Sequence, residues 1–132
     1  MKKSFVLMLC MIMFAISLNA QDASSQMKTT IASPDSNVNF RLYRTFNRWT
    51  FLKLDTRTGK INHVQYSMDG DAMQYSLNDY PLVDEEGAKT GRFFLYPTEN
   101  IYTFILLDQV DGRVWQVQWN IDKSKRGIWR IY

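Results

Sequence analysis

Few residues of the 132-residue chain have the type and spacing for covalent or metal chemistry. His63 is the single histidine, and a zinc site ordinarily needs two or three imidazoles or thiolates. Cys10 is the single cysteine and lies near the N-terminus, so no nucleophilic Cys–His pairing is expected in the body of the chain. Asp69-Gly70-Asp71 lacks the further oxygen ligands of a calcium loop. Asp55 and Asp108 stand in turns, which leaves a glycosidase-type carboxylate pair without defined members. No glycine-rich phosphate loop opens a helix. A non-catalytic protein is expected, with neither metal nor cofactor.

Recognition chemistry is better represented. Arg41, Arg44, Arg48 and Lys53 surround Trp49, a set of cations with an aromatic anchor that suits a protein partner, anionic if steering matters. A second set, Phe94, Ile101 and Leu106, is apolar and reads either as cover for a sheet-to-sheet contact within the chain or as an association face. Nucleic acid is not expected as a partner. The abundance of Trp, Tyr and Phe leaves carbohydrate open as an alternative ligand, with Trp129 and Tyr132 as a possible coplanar pair.

The elements that must position these residues begin after an export signal. Lys2 and Lys3, an apolar run from Phe5 to Ile16 and the small-residue exit Ser17-Leu18-Asn19-Ala20 give residues 1–20 the form of a signal peptide. The run is shorter than the ~20 residues that cross a bilayer, so no membrane span is expected after cleavage and the product is periplasmic or secreted. Removing twenty residues leaves 112, with 14 basic against 13 acidic groups and no cysteine for a disulfide. Residues 21–38 are polar and are expected to be a flexible N-terminal segment.

The rest is duplicated. Phe40 to Tyr66 aligns without a gap to Phe93 to Trp119, 53 positions on, with 12 identities in 27 positions, among them Phe40/Phe93, Leu42/Leu95, Phe51/Phe104, Leu54/Leu107 and Val64/Val117. Each copy reads as a meander of four antiparallel strands. Asn47 or Asn100 turns the chain into the second strand, and Asp55 to Gly59 or Asp108 to Gly112 forms the following hairpin loop. Repeat 1 spans 39–77, a linker 78–90 and repeat 2 91–132. The expected fold is all-β, a sandwich or partly closed barrel with approximate twofold symmetry, its core including Phe51, Leu54, Phe104, Leu107, Val117 and Trp119.

Alternation in the third strand puts Trp115, Val117 and Trp119 on one face and, by the repeat, Asn62, Val64 and Tyr66 on the same one. His63 then falls on the polar face as a surface residue. Where the copies differ, Arg41, Arg44, Arg48 and Lys53 stand opposite Phe94, Pro97, Ile101 and Leu106. Residues 40–66 carry six basic groups and one acidic, 93–119 one basic and three acidic, so near-neutrality overall covers a charge difference between copies. The basic face recruits a partner or is neutralised by Asp69, Asp71, Asp79, Asp84, Glu85 and Glu86 folding back.

The unit Leu95-Tyr96-Pro97-Thr98 through Leu107-Asp108 and Gly112 to Trp119 resembles small exported bacterial proteins of unknown function that carry it twice. Its Leu-Asp-x-x-x-Gly-x-x-Trp core is also similar to the inner hairpin of quinoprotein-type β-propeller blades, although copy one has Asn62 at the tryptophan position. The first resemblance brings no activity. The second implies blade-like sheets, two of which do not close a propeller. The function expected is that of an exported binding protein, an inhibitor or immunity-type factor, using the basic face of repeat 1. The alternatives are a carbohydrate-binding module or an envelope protein assembling through Phe94, Ile101 and Leu106.

Overall fold

The computed structural model describes residues 37–132; the expected signal peptide and most of the expected N-terminal segment lie outside them. Four strands, β1 (Phe40–Arg44), β2 (Thr50–Asp55), β3 (Ile61–Gln65) and β4 (Met73–Asn78), form one antiparallel sheet in chain order. β5 (Phe93–Pro97), β6 (Thr103–Asp108), β7 (Val114–Gln118) and β8 (Gly127–Ile131) form a second, and no barrel closes.

The two meanders share their backbone in detail. Phe40 pairs with Asp55 as Phe93 pairs with Asp108, and Thr50 with Gln65 as Thr103 with Gln118. Asn47 Oδ1 accepts the Trp49 amide at 2.9 Å, and Asn100 Oδ1 accepts the Tyr102 amide at 2.9 Å. In the hairpins Asp55 Oδ1 accepts the Arg57 amide and Asp108 Oδ1 the Val110 amide, each at 3.0 Å. Gly59 and Gly112 close these loops at φ of 77° and 72°, where a Cβ is penalised. Local side-chain-to-backbone bonds thus explain why both copies fold alike.

The copies differ in which face they bury. For the first sheet we call front the side bearing Tyr43, Leu52, Leu54 and Ile61, all fully buried. Its back bears Phe40, Leu42, Phe51 and Val64, which are exposed or half-exposed. In the second sheet the positions 53 residues on reverse this: Phe93, Leu95, Phe104 and Val117, on the back, are buried with Leu106 and Trp115, whereas Tyr96, Ile105, Leu107 and Val114, on the front, are not. One apolar core joins the first front to the second back. A twofold would bring like faces together; this contact stacks successive layers in the same sense and replaces the approximate twofold expected from the duplication. It also corrects two expected core residues, Phe51 and Leu107, which lie on the outer sides, while Leu54, Phe104, Val117 and Trp119 are buried.

The connection between sheets is part of the packing. Leu82 and Val83 lie against the core, and the Leu82 amide donates to Thr58 O at 2.8 Å. The Phe93 amide donates to Thr56 O at 2.8 Å, fixing the start of β5 to the β2–β3 turn. Arg92 grips Asp108 through two 3.0 Å bonds and donates to Gly87 O, tying the linker to the second hairpin. Burial raises the Asp108 carboxyl, but hydrogen bonds from Arg92, the Val110 and Asp111 amides and Arg113 outweigh it and bring it to about 2.

A Cβ on Gly59 would lie 2.8 Å from Leu82 Cδ1, while one on Gly112 would meet nothing within 4 Å. Both Gly→Ala changes carry the left-handed backbone cost of about 1–2 kcal/mol. Gly59→Ala should lose a further 1 kcal/mol or so by overpacking, read as a lower urea midpoint. Equal losses at the two positions would show that Leu82 does not lie over the first hairpin.

Candidate functional site

The cationic residues of repeat 1 divide between the two sides of their sheet. Alternation in β1 carries Arg41 to the front with Tyr43, where it is only 8% exposed. Its guanidinium passes the free edge of β5 and lies 4.8 Å from the Phe94 ring and 5.6 Å from that of Tyr43. Arg41 is therefore a packing residue and not part of a basic surface, a placement a weakly hydrated, stacking guanidinium tolerates better than an ammonium would.

Arg44 and Lys53 project from the back, Arg44 exposed and Lys53 donating to Gln74 Oε1 at 2.8 Å and lying 5.8 Å from the Phe40 ring. Trp49 and Tyr66 extend this side, their rings 5.1 Å apart, and Phe51 lies 6.2 Å from Tyr66. Arg48 covers Trp49 at 5.6 Å. The back of the first sheet is thus an open surface with an apolar field, Phe40, Phe51, Val64 and the Trp49–Tyr66 pair, set among Arg44, Arg48 and Lys53. Phe40, Phe51, Val64 and Tyr66 were not anticipated in it. The available signal was their match to Phe93, Phe104, Val117 and Trp119, all of which the second copy buries. Beside Trp49 and Tyr66 lies a cleft of about 340 Å³ that includes Asp69 and Asp71. Part of the acidic chain expected to neutralise the basic face therefore sits at its margin.

The three apolar counterparts also separate. Leu106 is fully buried in the sheet-to-sheet core, Phe94 packs edge-on to Tyr43 at 5.7 Å, and Ile101 is exposed in the Asn100 turn. They do not make one face. Ile101 instead helps line an apolar cavity of about 430 Å³ with Phe46, Tyr102, Trp119 and Ile121, at the end of the stack where the Asn47 and Asn100 turns meet. A further exposed apolar surface is the front of the second sheet, where Tyr96, Trp129 and Ile131 are 52%, 51% and 44% exposed.

His63 is a second correction: it is on the front and fully buried, not on the surface. Its ring lies 4.3 Å from Tyr75 and 5.9 Å from Trp119, Nε2 is 3.4 Å from the Tyr75 hydroxyl, and Nδ1 has no hydrogen-bond partner among the described residues. Burial first, and the Arg126 charge second, push the imidazole down to about 4. Arg126 stacks on Tyr75 at 3.9 Å, closing the site. A neutral, caged imidazole of this kind is a core group.

Among the described residues no cluster of three His, Cys, Asp or Glu side chains could hold a metal ion, and no helix is long and apolar enough to cross a membrane. Trp129 and Tyr132, considered above for sugar stacking, are both exposed, and the Arg130 guanidinium lies 5.6 Å from the Tyr132 ring. Compared with known proteins, the chain matches no family model, no curated protein and no solved structure.

The caged imidazole has a thermodynamic signature. In the unfolded chain His63 takes its proton near 6.5, in the fold only near 4. Its contribution to stability is therefore complete above pH 6.5 and is lost as pH falls toward 4, by about 3 kcal/mol in total. His63→Gln, which installs the residue of the second copy, should flatten urea stability between pH 7 and pH 4.5 relative to the parent. Parallel pH profiles would place the imidazole in solvent.

Proposed function

We propose that the protein is a non-catalytic binding protein of the exported compartment, and that its recognition surface is the back of the first sheet. One observation carries the reading. Phe40, Leu42, Phe51 and Val64 on this open surface are the same residue types that, as Phe93, Leu95, Phe104 and Val117, lie at most 3% exposed beneath the first sheet. A sheet face of this composition is suited to covering by another protein surface, because apolar area of this extent gains most from complete exclusion of water. Arg44, Arg48 and Lys53 bias the choice toward acidic partners and speed encounter. Trp49, packed on Tyr66, supplies a large, rigid contact at small entropic cost.

The test uses only residues on that side. The chain with Arg44→Glu, Arg48→Glu and Lys53→Glu should lose partners that the parent captures from native envelope extract, with recovery down about tenfold or more, as expected when several charges at one interface are reversed. Equal recovery of the same proteins by both chains would overturn the reading.

A further inference from the structure

Stacking one sheet on the other in the same sense leaves two unlike outer surfaces: the first sheet shows its back and the second its front. Resting on the reading of the first sheet's back as a protein-binding face, we propose that its occupant is the front of the second sheet in another copy of this chain, so that copies join head to tail.

The template is inside the molecule. A front already packs on a back in the core, and the backbones that present the two outer surfaces have the same register. Repeating that contact between chains therefore needs no new strand pairing, with Lys53 and Asn62 taking the places that Leu106 and Trp115 fill in the core. The second front carries one apolar cross-strand row, Leu107, Val114 and Ile131, and a second in which Gln116 separates Tyr96 and Ile105 from Trp129. Residues 21–36 of this chain offer only Met27 and Ile31 as large apolar side chains to set against those six. Charge selects the pairing. Back-to-back contact of first sheets would oppose Arg44, Arg48 and Lys53 with themselves, whereas the second front carries no charged side chain on its strands to repel them. Arg44 and Lys53 would meet the rings of Tyr96 and Trp129 as cations over aromatic faces.

Such a contact is heterologous: each copy offers two different surfaces, and assembly continues until it closes on itself. Four-stranded sheets stacked radially close at about four to eight layers, which two to four copies would supply.

The test is sedimentation velocity on the full chain and two variants, Phe40→Glu with Lys53→Glu on the first back, and Tyr96→Glu with Trp129→Glu on the second front. From about 1 µM to 1 mM, a range spanning weak to moderate association, the parent should pass from monomer to a species larger than one chain. Each variant alone should be monomeric, and an equimolar mixture should form a one-to-one heterodimer and nothing larger, because each retains one intact surface. Heterodimer formation also shows that both variants are folded; if it fails, near-ultraviolet circular dichroism identifies a misfolded variant, replaced by the single change Lys53→Glu or Tyr96→Glu. A parent that stays monomeric overturns the proposal, as does a mixture of folded variants that stays monomeric. If that monomer still captures a different protein through Arg44, Arg48 and Lys53, the binding reading stands and only self-recognition fails. A parent that neither associates nor captures brings down both.

Discussion

The structure depends on one contact, the front of a four-stranded meander laid on the back of its duplicate. It buries Tyr43, Leu52, Leu54 and Ile61 against Phe93, Leu95, Phe104, Leu106 and Val117, and no disulfide is there to supplement it. Because this contact uses unlike faces, the two outer surfaces differ, whereas a twofold sandwich would leave two like ones. Each sheet has one side matched and one side left over, and the leftovers have the same backbone as the matched pair. The exposed apolar character of the outer surfaces, the burial of Arg41 and His63, and the binding surface proposed for the first sheet all follow from that asymmetry.

Most of the backbone was legible in the residues. The repeat located eight strands, and the Asp and Asn turns are held by the side-chain bonds their spacing implied, Asp55 to the Arg57 amide and Asn100 to the Tyr102 amide among them. The choice of buried face was not legible in the identities. Val64 and Val117 are the same residue in the same register, one half-exposed and one buried, because identity was kept by strand geometry and not by equal surroundings. In β2 apolar residues fall on both sides, Phe51 on one and Leu52 and Leu54 on the other, so alternation could not decide. The mismatches held the information. Lys53 facing out where Leu106 faces in marks a back that changed from open to covered.

The candidate site was partly legible for the same reason. Arg44, Arg48, Trp49 and Lys53 project on or beside one side of the sheet because their positions alternate that way, while Arg41, three residues before Arg44, necessarily points to the other. The apolar field between them required knowing which side was open. His63 was misplaced by the same parity, and its burial between Tyr75 and Trp119 beneath Arg126 shows that a polar-looking position can be interior when both faces of a strand contain polar residues.

The central claim is the unlike burial of equivalent positions, and paired thiol accessibility in a Cys10→Ser chain addresses it directly, at a concentration where the protein is monomeric. Single cysteines at Leu54 and Val117 should be protected from a water-soluble thiol reagent, whereas those at Leu107 and Val64 should react readily. If instead the Leu54 and Leu107 thiols react at one rate, and those at Val64 and Val117 likewise, equivalent faces share one environment and the front-to-back stack is contradicted.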